Sequence, residues 1–159
     1  VCTWRWRHPV RTLLPYTCPG MNPMIKPLPR PTSETEHFWQ GCAQDELRFQ
    51  YCPDCDLAQF PPRIRCHSCY EKSLVWRRST KSGTVYSATT VMRAPSEAFK
   101  NNTPYVIVLV ELDEGFRIMA NITNAEDATV KIGDPIRIIF EPLSGQIALP
   151  QAELTHEPT

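Results

Sequence analysis

Apolar and polar positions give the chain two textures, divided near residue 83. In the first part prolines break the pattern, and residues 21–33 (MNPMIKPLPRPTS) read as extended chain. Thr32 or Ser33 can then cap a helix over 34–44, with Glu34 and Glu36 at its positive end. Phe38, Trp39 and Cys42 form its apolar stripe. Leu47, Phe49 and Tyr51 alternate with Arg48 and Gln50, the period of a half-buried strand, and Leu74-Val75-Trp76 predicts another short one. From Gly83 onward only strands are expected. The runs at 84–93, 104–113, 116–122, 135–141 and 146–154 are β-branched or alternating and separated by turn residues. Asp113-Glu114-Gly115 marks a hairpin between the second and third, Gly133-Asp134-Pro135 precedes the fourth, and Ser144-Gly145 marks the last turn. Five strands, with a longer connection at 123–134, is the plan of an OB-fold barrel.

Composition adds compartment and boundary expectations. The 17 basic residues equal the 17 acidic ones, but Arg5, Arg7 and Arg11 face no acid in residues 1–20. Those three removed from 17 leave 14 basic against 17 acidic, so the whole-molecule basic field of nucleic-acid binders is lacking. No run reaches membrane-span length, so a cytoplasmic protein without membrane association is expected. Seven cysteines, an odd number, with no secretory signal, favour metal or redox chemistry over a disulfide framework. The Arg- and Trp-rich opening does not resemble the rest, and Met21 is read as the natural start. The expected organisation is a non-native or disordered leader (1–20), an extended segment with the helix (21–46), a cysteine-bearing unit (47–80), the barrel (81–154) and a tail (155–159).

The chemistry lies in Cys52-Pro-Asp-Cys55 and Cys66-His-Ser-Cys69, with ten residues between the pairs. Two-residue spacing turns both sulfurs of a knuckle toward one ion, and two knuckles close a tetrahedral cage that suits zinc, with iron also chemically admissible. Cys52, Cys55, Cys66 and Cys69 are therefore the expected ligands of a structural Zn2+ in a rubredoxin-like zinc ribbon. Four protein sulfurs leave no open position for catalysis. The alternative, a redox-active pair, lacks the βαβ setting it needs. His67 sits between two ligands but is not needed to complete the shell, and Cys42 reads as a buried apolar residue. No phosphate loop, nucleophile elbow or HExxH motif is present. Glu111, Asp113 and Glu114 read as a solvated turn rather than an acid–base pair.

In order along the chain, these residues resemble the zinc-ribbon plus OB-fold proteins encoded beside thiolases and acyl-CoA hydratases, catalogued as domain of unknown function thirty-five. The resemblance covers about residues 30–150 and is carried by Phe38-Trp39, Tyr51-Cys52-Pro53-Asp54-Cys55, Phe60-Pro61-Pro62-Arg63, Cys66-His67-Ser68-Cys69 and Trp76. In the barrel it continues through Gly83-Thr84-Val85-Tyr86-Ser87, Pro104-Tyr105, Glu111 to Gly115 and Gly133-Asp134. One departure is Tyr70, where the family more often has a glycine after the fourth cysteine; a differently shaped second knuckle is expected. The resemblance implies a non-catalytic accessory subunit that helps bind acyl-CoA and docks on a thiolase-like or acyl-CoA hydratase or lyase subunit, in lipid, polyketide or steroid-type acyl-CoA metabolism. With that implication, Arg63, Arg65, Arg77, Arg78 and Lys81 become candidates for CoA phosphates or a partner, and Phe60 for the adenine or a partner. The alternative is a single-stranded nucleic-acid binder. It needs a basic groove lined with stacking aromatics, whereas Tyr86, Tyr105, Phe116 and Phe140 have few basic neighbours.

Overall fold

A computed structural model describes residues 26–124, 130–144 and 147–155. The leader, Met21, the Ser144-Gly145 turn and the tail beyond Thr155 lie outside the fully described residues. The structure is mainly β: one short helix, a three-stranded sheet and a five-stranded barrel.

Helix α1 spans Glu36–Ala43, two residues later than expected at its start. The cap differs too: the Thr32 carbonyl accepts the N–H groups of Thr35 (3.0 Å) and Glu36 (2.8 Å), while Thr35 Oγ1 accepts the Thr32 N–H (2.9 Å). Neither Thr32 nor Ser33 caps through its own side chain as predicted. Because residues 33–35 are spent on that turn, the helix cannot begin at Glu34. The apolar stripe forms as expected, with Phe38 and Cys42 buried and Trp39 half-buried.

Strand β1 (Arg48–Cys52) pairs with β2 (Leu57–Gln59) on one side and β3 (Val75–Arg78) on the other, both antiparallel. The sequence pattern missed β2, a three-residue strand. The barrel follows: β4 (Ser82–Val91), β5 (Tyr105–Leu112), β6 (Arg117–Asn121), β7 (Pro135–Ser144) and β8 (Ile147–Leu154). A six-residue 3-10 helix at Glu97–Asn102, also unpredicted, joins β4 to β5. The sheet order is β6-β5-β4-β7-β8, and a parallel bridge from Ile122 to Ala152 joins its two ends. That closure is the OB-fold topology the five runs imply. Asn124 secures it, since its side chain donates to the Leu154 carbonyl (3.0 Å) and accepts the Leu154 N–H (2.9 Å).

Alternation decides what fills the barrel. Along β5, Val106, Val108, Val110 and Leu112 point inward and are buried, facing Val85, Ile118, Ala120, Ile136, Ile138 and Ala152. Two glycines allow the tight geometry. Gly115 adopts φ +84° in the β5–β6 hairpin, a left-handed conformation that favours glycine. Gly83 lies so close to β5 that a Cβ there would stand 2.2 Å from the Glu111 carbonyl oxygen.

The small sheet has no separate core. Phe49 stacks on Phe116 of the barrel at 4.8 Å, and Phe60 contacts both Phe38 (5.2 Å) and Phe116 (5.7 Å). Helix, small sheet and barrel thus bury one continuous apolar cluster.

Candidate metal centre and the segments around it

The two cysteine pairs meet at the open end of the small sheet. Cys52 ends β1, Cys55 lies on the turn into β2, and Cys66 and Cys69 come from the loop before β3. All four sulfurs lie within 4.8 Å of one another. Cys52–Cys69 is 3.5 Å, Cys55–Cys66 is 3.4 Å and Cys55–Cys69 is 3.8 Å. Sulfurs placed about 2.3 Å from a central zinc at tetrahedral angles are separated by about 3.8 Å, so the donor set fits that ion. Among the described residues no other group of three or more such side chains converges.

Electrostatics point the same way. The backbone N–H groups of Cys69 and Ser68 stabilise the Cys66 thiolate and bring its pKa down to about 6. Crowding does the reverse at Cys55, whose thiol is pushed up first by its hydrogen bond to Cys52 and then by desolvation. Four sulfurs this close cannot all ionise without a cation among them. The cysteines are positioned to bind a metal ion, consistent with structural zinc, and the filled shell would hold the knuckles rather than activate a water.

The second knuckle is not differently shaped, despite the missing glycine. Tyr70 adopts φ +64°, and Asp56, at the same place after the first pair, adopts φ +53°. Each knuckle therefore closes through one left-handed residue after its second cysteine. Tyr70 is held there by its N–H bond to the Cys66 carbonyl (3.1 Å) and by Arg65, whose Nη1 donates to the Tyr70 carbonyl (3.0 Å). Asp54 and Asp56 accept bonds from Ser73 and Tyr51 respectively.

Two buried glutamines, which sequence reasoning missed, hold the segment between the knuckles. The alternation in β1 would turn Gln50 toward solvent, yet it is only 6% exposed and Gln59 only 3%. Gln50 Oε1 accepts the Arg63 N–H (2.8 Å) and its Nε2 donates to the Arg63 carbonyl (2.9 Å). Gln59 Oε1 accepts the His67 N–H (2.7 Å), while Nε2 donates to Gln50 Oε1 (3.2 Å) and the Arg65 carbonyl (3.2 Å). His67 Nδ1 also lies 3.0 Å from Gln59 Oε1. The register Gln50↔Gln59 sets the two amides side by side. The one signal available in sequence was a pair of unbranched amides on strand positions flanking the first knuckle.

The candidate basic residues lie on two sides of β1. Arg63 and Arg65 are exposed on the segment after β2. Arg77 and Arg78 lie on β3; Arg77 stacks on Tyr51 with its guanidinium carbon 3.3 Å from the ring centre, and Arg78 pairs with Glu46 (2.9 Å). Lys81 pairs with Asp45 at 2.9 Å. Phe60 is half-buried in the aromatic contact with Phe38 and Phe116. Glu114 corrects another expectation. It is not a solvated turn residue: its carboxylate accepts the Ser79 hydroxyl (2.9 Å), the Thr80 N–H (2.6 Å) and the Thr80 hydroxyl (3.1 Å). The β5–β6 hairpin is thereby fastened to the segment leading from β3 into β4.

A metal-ready ribbon whose apolar face is completed by an OB barrel defines a class, and comparison with known proteins agrees. Residues 39–75 match the family model "ChsH2, rubredoxin-like zinc ribbon domain", and residues 76–141 match "ChsH2, C-terminal OB-fold domain". The chain is 32% identical over 110 residues to a DUF35 domain-containing scaffold protein of Methanothermobacter thermautotrophicus, covering 68% of this chain and 82% of that one. It belongs to the DUF35 family of zinc-ribbon plus OB-fold proteins. It is 35% identical over 113 residues to the 3-oxo-4,17-pregnadiene-20-carboxyl-CoA hydratase alpha subunit of Mycobacterium tuberculosis, covering 70% of this chain but 35% of that protein. Against a probable enoyl-CoA hydratase alpha subunit of Thermomonospora curvata, identity is 29%, with coverage of 94% and 47%. The chain thus spans less than half the length of either hydratase subunit. Among solved structures, the Ltp2-ChsH2(DUF35) aldolase matches with a TM-score of 0.72 and 26% identity, over 81% of this chain and 100% of the matched chain. No helix among the described residues is long and apolar enough to cross a membrane.

Proposed function

We propose that the chain is a non-catalytic accessory subunit of an acyl-CoA-processing enzyme, of the thiolase-like or enoyl-CoA hydratase-like kind. In this reading the zinc ribbon presents Arg63 and Arg65 to the phosphates of an acyl-CoA whose acyl end lies in the partner. The observation that supports it is the way the segment carrying them is held. The Gln50 and Gln59 amides fix the backbone at Arg63, Arg65 and His67, while both guanidinium groups remain exposed. Preorganised charge of this kind loses little entropy when it meets a phosphate. Arg77, Arg78 and Lys81, on the other side of β1, are assigned to the partner rather than to CoA. Phe60 anchors the segment to the barrel. The names of the relatives support the partner class.

The test is calorimetric titration of the zinc-loaded chain, alone and with a co-expressed hydratase-like or thiolase-like subunit, using CoA. Binding that falls about tenfold or more in Arg63→Ala/Arg65→Ala, with the salt dependence of phosphate contacts, is expected. If the partner enzyme is equally soluble, equally active and uncomplexed without this chain, the accessory reading fails.

A further inference from the structure

The open edge of β3 has backbone groups and charge that suit an incoming strand. The Ser79 N–H bonds the Leu47 carbonyl at 2.8 Å, and Arg48 lies opposite Arg78. In an antiparallel ladder this makes Arg48–Arg78 and Gln50–Trp76 the non-bonded pairs, and Phe49–Arg77 and Tyr51–Val75 the bonded ones. The N–H and C=O groups of Trp76 and Arg78 therefore point away from β1. Beyond them no further strand is paired among the described residues, since the sheet order ends at β3.

A cleft of about 200 Å³ adjoins this edge, lined by His37, Arg48, Trp76, Arg77 and Arg78. Its charge is one-sided. Glu46 is shared by Arg48 (2.6 Å) and Arg78 (2.9 Å), and Arg77 has no carboxylate within ion-pair distance among the described residues. On the cleft's face of the sheet two guanidinium groups, Arg48 and Arg78, thus share one carboxylate, while the Arg77 guanidinium lies over Tyr51 on the other face. A second copy of this chain is a poor occupant, because antiparallel pairing of β3 with itself would oppose the arginines of both copies. We infer that this edge takes an acidic, extended segment of a partner protein as a fourth ribbon strand, with one Asp or Glu side chain seated in the cleft. This specifies a mode of docking and does not depend on the acyl-CoA contacts.

Amide hydrogen exchange on the zinc-loaded, isotope-labelled full chain tests it, with short peptides alternating Thr–Glu or Thr–Lys as probes. The Thr–Glu peptide should slow exchange of the Trp76 and Arg78 amides about tenfold or more, leaving the already bonded Arg77 amide unchanged. Arg78→Pro, which removes an outward N–H without touching the β1 ladder, should abolish the effect at that edge, whereas Arg78→Ala should only weaken it. Unchanged exchange at Trp76 and Arg78, an equal response to Thr–Lys, or binding of Thr–Glu without protection of those amides would overturn strand addition. CoA should leave both amides unaffected. The peptide response should also survive Arg63→Ala/Arg65→Ala, so failure of the CoA reading and failure of this one are separable.

Discussion

Replacing Gln59 by leucine would probe how much of the ribbon's shape is set by side-chain amides rather than by the metal. The side chain is 3% exposed and makes bonds to the His67 N–H, to Gln50 Oε1 and to the Arg65 carbonyl. At about 1 kcal/mol net for each of three bonds, the loss is about 3 kcal/mol. The leucine is nearly isosteric and recovers about 1 kcal/mol through its apolar surface, leaving a net cost of about 2 kcal/mol. With an ordinary urea dependence for a domain of this size, the unfolding midpoint should fall by about 1 M. The assay is urea unfolding of the zinc-loaded protein, followed by Trp fluorescence, since Trp39 and Trp76 both pack against the shared core. Gln40→Leu is the control: Gln40 is exposed and among the described residues its side chain bonds Glu36 at 3.3 Å, so its midpoint should hardly move. Zinc stoichiometry should remain one in both variants, because no thiolate is touched. An unchanged midpoint in Gln59→Leu would refute the assignment of the knuckle's support to the two glutamines.

Other outcomes follow from features already described. Cys52→Ser, or a chelator, should release zinc and melt the ribbon while the barrel's far-ultraviolet signal persists; structural zinc supplies roughly 10–16 kcal/mol of folding energy in small peptides. Acid should do the same, since the ligating thiols must lose their protons to hold metal. Gly83→Ala should cost about 3 kcal/mol by calorimetry, because the new Cβ meets backbone at 2.2 Å rather than a movable side chain. Burial pushes the Cys42 thiol up from its ordinary 9.0 to about 12. A raised folded-state value favours the native state below pH 9, and that benefit is lost between about pH 9 and 12, with a slope approaching 1.4 kcal/mol per pH unit. Stability measured across that range should therefore decline less steeply in Cys42→Ala.

The elements legible in the sequence were those whose signal is local and repeated. Five alternating runs name a closed barrel because each carries enough residues to declare a period, and β5 with its four inward apolar positions is the clearest. The cysteine spacing is legible for a different reason: the turn of a knuckle is built within one tetrad. Leu57-Ala58-Gln59 is too short to show a period, so β2 was invisible. Gln50 and Gln59 look like ordinary solvent-facing positions because their partners are backbone groups up to 13 residues away, in a segment without regular structure. The basic residues show a different limit of reading along the chain. Arg63, Arg65, Arg77, Arg78 and Lys81 are near one another along the chain, but β1 lies between the segment carrying Arg63 and Arg65 and the strand carrying Arg77 and Arg78, and Glu46 and Asp45 pair with Arg78 and Lys81. Tyr70 shows that a missing glycine need not change a turn when hydrogen bonds on both its N–H and its carbonyl hold it left-handed.

The aromatic contact of Phe49, Phe60 and Phe116, together with the Glu114 clasp on Ser79 and Thr80, bears on how such chains can be recombined. The boundary between the two family matches falls at 75/76, one residue inside β3. A cut there would strip the ribbon of an edge strand and leave a barrel carrying an unpaired Trp76. Swapping barrels between relatives should succeed only when the join lies beyond Lys81 and the incoming hairpin brings its own phenylalanine and glutamate at the places of Phe116 and Glu114. Ribbon and barrel therefore form a matched pair in this chain, and exchange of either alone should yield chimeras that bind zinc but do not pack.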